Sequence, residues 1–210
     1  MRKIDGRKLI FAAVFYALTI TLVVAITHAA LSIVRNPLPN LEGQIDTIRH
    51  DQHQLEIQLG VLQKQVDALN KSAARAALYN YIHDVNPVLP VGTAWRVAGA
   101  IGQCARLHQV DPRLLTAVIQ TESSFNPQAE GTHHDRGLGQ ITHQTARTIG
   151  LPWSQAFSIR SNACMSAMLL RHWQLRYGSM RASLRRYNGG TGYAQVVLAR
   201  YNEIRTENVK

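Results

Sequence analysis

The chain has 210 residues and a formal charge of +10, with 23 Lys and Arg against 13 Asp and Glu. Most of the excess lies in the C-terminal half as Arg, scattered over several predicted helices and joined by no aromatic-rich or nucleic-acid motif, which argues against nucleic-acid binding. A solubilising surface or attraction to an anionic polymer remains.

The first eight residues are basic, with Arg2, Lys3, Arg7 and Lys8 against Asp5. Residues 9–34 follow without a formally charged side chain, which is long enough to span a bilayer. The basic end 1–8 is expected on the cytoplasmic side and the rest of the chain outside, with the segment kept as an anchor. Cleavage after Thr27-His28-Ala29 is the alternative.

Leu41, Ile45, Ile48, Gln52, Leu55, Leu59, Leu62, Val66 and Leu69 then alternate steps of four and three. That seam predicts a coiled-coil stalk over 40–76, a parallel dimer with Gln52 fixing register, or a trimer. A single amphipathic helix packed on the next domain is the other reading. Asn86-Pro87, Pro90 and Gly92 mark a linker over 77–92, leaving 93–210 as a domain large enough for one helical core. Helices are expected from near Trp95, Pro112, Ala163, Met180 and Tyr193, and no strand pattern is present, so the class is all-α.

Asp111-Pro112 is a helix start, a capping carboxylate before the residue best tolerated in the first turn. Leu114, Leu115, Val118 and Ile119 recur at helical spacing, and Glu122 falls on the same stripe. Asn126-Pro127 stops the helix soon after. A carboxylate so placed is desolvated, its pKa rises, and it becomes a proton donor near neutral pH. An ion pair with one of the many Arg residues is the plainer alternative.

Glu122-Ser123, Phe125-Asn126-Pro127, Gly137-Leu138-Gly139-Gln140-Ile141, Thr145-Ala146 and Tyr187-Asn188-Gly189-Gly190 occur in that order. The set resembles lytic transglycosylases of the soluble (SLT) type, whose domain is related to goose-type lysozyme. The resemblance covers about residues 95–205. It implies a lysozyme-like helical fold and cleavage of peptidoglycan between N-acetylmuramic acid and N-acetylglucosamine. Glu122 would be the single catalytic acid and base, closing a 1,6-anhydro ring, where ordinary glycosidases use two carboxylates. Tyr187 would bond that Glu, Ser123 would support it, and Gln140, Asn188, Gly137 and Gly139 would meet the sugar.

Two positions depart from the family pattern: Gly139 replaces a Met that would line the cleft, and Gly189 replaces an Ala. Glu130 and Asp135 lie near in sequence, so a hydrolytic muramidase stays open. A glycan-binding scaffold without catalysis is the alternative from another class. His133-His134-Asp135 reads as a polar loop, so no metal and no cofactor are expected. Cys104 and Cys164 are either a disulfide of an oxidising compartment or two buried thiols. The expected setting is the inner membrane with the enzyme on the periplasmic side, or a phage virion, with peptidoglycan, the membrane and a second copy as partners.

Overall fold

The chain divides into two units, Met1–Gln63 and Lys64–Lys210. The structure, a computed structural model, describes residues 6–35, 41–150, 152–190 and 192–207. Arg2, Lys3 and Asp5 of the basic N-terminal segment lie outside these residues, as do the side chains of Arg7 and Lys8.

In the first unit, α1 (Gly6–Arg35) contains an apolar stretch, Val14–Ile33, with mean hydropathy 2.0. At 1.5 Å per residue that stretch is about 30 Å long, the thickness of a bilayer core. Its threonines do not break the helix, because Thr21 and Thr27 turn their hydroxyls back onto the carbonyls of Ala17 and Val23. A second helix, α2 (Leu41–Val85), begins in this unit. Leu41, Ile45, Ile48, Leu55, Leu59 and Leu62 are all exposed along it, so the heptad seam is uncovered in the single chain.

The second unit is helical as expected, and the all-α reading holds. After the end of α2 come α3 (Val91–Leu107), α4 (Pro112–Ser123), α5 (His143–Thr148), a 3₁₀ turn at Trp153–Gln155, α6 (Ile159–Tyr177), α7 (Met180–Asn188) and α8 (Tyr193–Glu207). Short polar side chains start four of them. Asp111, Thr142, Ser158 and Ser179 accept from the backbone N–H of Arg113, Thr145, Ser161 and Ala182 respectively. The start of α6 therefore lies at Ile159, a turn before the expected Ala163, because the Ser158 cap sets it.

α4 is the central helix. Leu114 through Ile119 are all buried, and α3, α6 and α8 pack against it. α8 grips both of its ends. The Tyr201 hydroxyl donates to Asp111 Oδ2 at 2.9 Å, and Arg200 donates to Thr121 Oγ1 at 2.9 Å.

The stretch 77–85, read from sequence as linker, is instead the last two turns of α2. Leu78, Tyr79, Ile82 and Val85 continue the helical spacing, and Ile82 is fully buried in the core of the second unit. Arg75 lies over the Trp95 ring at 4.5 Å and donates to the Trp95 carbonyl at 2.9 Å. Only the segment from Asn86 to Pro90 leaves the helix, where proline forbids continuation.

Cys104 on α3 and Cys164 on α6 form a disulfide that closes a loop with a sequence separation of 60. A cross-link over that length stabilises by about 4 kcal/mol through the entropy it removes from the unfolded chain. Replacing both cysteines by Ala should therefore lower the unfolding free energy by about that amount. Urea denaturation followed by circular dichroism measures it, and a change within about 1 kcal/mol would show that the bond contributes little.

Candidate active site

The site forms where α4 stops. Ser124 and Phe125 both take positive φ (47° and 66°), which ends the helix within one residue of Ser123. Left-handed backbone is unfavourable for a bulky side chain, and the burial of Phe125 offsets the strain. Its ring is fully buried and meets Tyr81 edge-on at 6.3 Å. Tyr81 also donates to Gln120 Oε1 at 2.8 Å, and Asn86 Nδ2 donates to the Ser124 carbonyl at 2.8 Å. The last turn of α4 is thus fixed by α2 and the segment after it on one side and by Arg200 of α8 on the other.

Glu122 sits in that turn, half-buried. Burial is the main cause that lifts its pKa from 4.5 to about 7. Tyr193 and Asn188 act against the rise as hydrogen-bond donors to the carboxylate, and the negative charge of Asp135 adds to it. The Tyr193 contact is short of regular hydrogen-bond geometry, for the buried Tyr193 hydroxyl has no acceptor of regular geometry among the described residues. Its burial and the Glu122 charge both push Tyr193 far above the ordinary phenol range, so it stays neutral. The result is a carboxyl group that keeps its proton close to neutral pH yet has two donors ready for the charged form.

One wall is the loop 129–141. Short antiparallel bridges, Glu130 with Arg136 and Arg136 with Ile141, fold it back on itself. Asn162 of α6 clamps it from behind. Its side-chain carbonyl accepts from the Gly139 N–H at 2.7 Å, and its Nδ2 donates to the carbonyls of Arg136 and Ala156 at 2.8 and 2.6 Å. Ser123 Oγ donates to the Leu138 carbonyl at 2.7 Å, so the residue beside Glu122 ties the same loop to α4. Tyr187 closes the clamp from α7 by donating to the Gly139 carbonyl at 3.0 Å.

This crowding accounts for Gly139. A Cβ there would run into Ser166 and lie 2.7 Å from the Tyr187 hydroxyl. The position thus faces α6 and α7, and the side chain missing from the family pattern would have no room. Gly137 is held for a similar reason, with φ 73° and a Cβ position blocked by the Ala156 carbonyl and Asn162.

Of the residues singled out in the sequence, Asn188 lies near enough to Glu122 to lower its pKa, while Ser123, Gly137, Gly139 and Gln140 form the adjoining wall. Gln140 uses Nε2 within its own loop, donating to the carbonyls of Ala129 and Gly137 at 3.1 and 3.0 Å. Tyr187 stacks on Tyr193 at 6.2 Å and contacts Gly139, so the hydroxyl that acts on Glu122 belongs to Tyr193. Gly189 takes φ 82° as the C-cap of α7 and turns the chain just after Asn188. Arg186 lies over the Tyr177 ring at 5.3 Å. Glu130 is engaged by Arg136 at 3.0 Å, which leaves Asp135 as the nearby acid that Glu122 senses. Sequence reasoning passed over Asn162, Ser166 and the role of Tyr193. Only Tyr193 left a signal, since with Val196-Val197-Leu198 and Tyr201 it resembles the end of SLT domains.

A family model described as the transglycosylase SLT domain matches residues 99–209, just over half of the chain. The chain is also similar to a protein of Enterobacteria phage PRD1 named Transglycosylase, 37% identical over 94 residues. That match covers 45% of this chain and 35% of the phage protein, so the chain spans about a third of the length of this relative.

Two outcomes follow from the geometry. Glu122 has a folded pKa above its ordinary value, so the folded chain holds an extra proton between about pH 4.5 and 7 and loses stability as pH rises through that window. Glu122→Gln should therefore gain on the native chain between pH 4 and pH 8 by up to about 3 kcal/mol, and a pH-independent difference in urea titrations would contradict the raised pKa. Gly139→Ala should destabilise by about 1–3 kcal/mol through overpacking, and Ser166→Gly in the same chain should restore part of it. Equal stability of Gly139→Ala and the native chain would refute the close approach.

Proposed function

The chain belongs to the transglycosylase SLT family, and from that membership and the half-buried Glu122 we propose a membrane-anchored peptidoglycan lytic transglycosylase. The observation that carries the reading is the place of Glu122, half-buried in the last turn of a helix whose end is braced from two sides, where burial raises its pKa to about 7. Neutral Glu122 gives its proton to the oxygen between N-acetylmuramic acid and N-acetylglucosamine, and the bond from that oxygen to the muramoyl C1 breaks. The resulting carboxylate accepts from Tyr193 and Asn188. It then takes the proton of the muramoyl 6-hydroxyl as that oxygen attacks C1, leaving a 1,6-anhydro end and a protonated Glu122. Ser123, Gly137, Gly139, Gln140 and Tyr187 hold the wall against which the sugar lies.

The placement comes from other features. The apolar stretch Val14–Ile33 serves as the anchor, and the basic residues before it favour a cytoplasmic N-terminus. The Cys104–Cys164 disulfide fits an oxidising compartment beyond that membrane. The exposed seam from Leu41 to Leu62 suits a coiled coil with a second copy. Arg-rich surfaces favour residence on the anionic wall. Such an enzyme opens the wall locally, either for an envelope machine or, as the phage relative favours, for passage of a phage genome.

A hydrolytic muramidase is the second reading, because Asp135 bears on Glu122 and could hold a water. Digestion of purified peptidoglycan by the full chain in detergent, followed by mass spectrometry of the muropeptides, separates the two. Anhydro-muropeptides that disappear in Glu122→Gln are expected. Reducing ends without anhydro sugar would replace the lytic reaction with hydrolysis, and no cleavage would leave a glycan-binding scaffold.

The pH profile is a further check. Since the proton donor is lost above its pKa, kcat/KM should fall about tenfold per unit above pH 7. Tyr193→Phe removes a donor that favours the charged form, so this limb should move to higher pH. A limb that stays in place would separate Tyr193 from the acid.

A further inference from the structure

A cavity of about 600 Å³ lies on the second unit between the start of α3, the turn after α4 and the start of α6. Leu89, Pro90, Pro127, Phe157 and Ile159 form the apolar part of its lining, Thr93, Asn126, Gln128 and Ser158 the uncharged polar part, and Arg96 and Arg160 are its two charged residues. No carboxylate is among the described residues that line it, and neither Arg is in an ion pair among those residues. Arg96 is oriented by donating to Thr93 Oγ1 at 3.3 Å. Arg160 opens α6, so the positive end of that helix adds to the same field.

Two Arg without an acidic partner in a lining that is otherwise apolar and uncharged polar match a ligand that carries carboxylates on a short chain of small residues. A bare phosphate would use the charges and leave the rest of the lining unused. Asn126 of the lining turn is four residues from Glu122, which limits the separation of their backbones to about 14 Å. That separation is within the length of a short extended peptide.

We propose that this cavity is a second binding site, taking a carboxylate-bearing peptide branch of the glycan through Arg96 and Arg160. The source of the peptide rests on the peptidoglycan reading; the site itself does not. It gives the enzyme a hold on cross-bridged wall that bare glycan lacks.

The test is calorimetric titration of the full chain in detergent, carrying Glu122→Gln so that no cleavage interferes. The probes are acetyl-Ala-Glu-Ala with free carboxylates, its fully amidated Gln counterpart, and inorganic phosphate. The acidic peptide should bind, and the amidated one should bind about tenfold or more weakly. Arg96→Gln with Arg160→Gln should weaken the acidic peptide by a similar factor while the melting temperature stays the same, since both side chains are exposed. Equal binding of both peptides, or binding indifferent to the two substitutions, overturns the proposal. Phosphate binding without peptide binding overturns it too, and makes the cavity a small-anion site. Because every arm uses an inactive chain, failure here leaves the glycan-cleaving reading to its own test.

Discussion

A carboxyl group on the buried stripe of a helix is unstable unless its surroundings can carry both of its charge states, and this requirement organises the second unit. Glu122 is desolvated enough to hold its proton near pH 7, while Tyr193 and Asn188 oppose the shift by favouring the anion. Full burial without them would leave the group neutral and unable to release its proton; full exposure would ionise it well below neutral pH. The balance depends on distances at the end of α4, so that end must not fray. Bonds from Tyr81, Asn86, Ser123 and Arg200 converge on the four residues Gln120, Thr121, Ser123 and Ser124 or start from them, and they remove the freedom a helix terminus ordinarily has.

The loop wall answers the same need by different means. Loops carry backbone polar groups that must be satisfied, and here a single buried side chain, Asn162, satisfies two of the wall's and ties them to the Ala156 carbonyl just before α6. With the Gly139 N–H held by α6 and its carbonyl held by Tyr187 of α7, the backbone lies too close to both helices for any Cβ. Two tyrosines thus divide the work. Tyr187 positions the wall, and the parallel ring of Tyr193 stacked on it brings a hydroxyl to the acid. Losing the first loosens a loop, whereas losing the second changes a titration.

Much of this was legible in the chain because it is local. The Asp111-Pro112 cap, the apolar stripe of α4 and the place of Glu122 on it need only helical periodicity and capping chemistry. The starts of α7 and α8 were equally plain. What escaped depends on contacts between distant segments. Asn162 looks like any polar residue early in a helix until the loop 26 residues before it is folded against it. Gly139 suggested a missing cleft side chain, since sequence shows the residue and not the direction its Cβ would take. The stretch 77–85 was lost for a simpler reason: Asn86-Pro87 and Pro90 drew the boundary back over turns that Leu78, Ile82 and Val85 keep helical.

Those turns alter where the fold of the second unit begins. The matched family region begins at residue 99, yet the core it describes is closed by residues well before it. Ile82 is fully buried, and burying such a side chain contributes about 2–3 kcal/mol, a large share of ordinary domain stability. Tyr81 and Asn86 act further, since each bonds directly to the last turn of α4 and its cap. The helix that carries the heptad seam therefore also supplies part of the support for Glu122. Shortening the chain to its family region would uncover Phe125 on the Tyr81 side and free the Ser124 carbonyl. The acid would then sit at the end of a helix with one of its two braces removed.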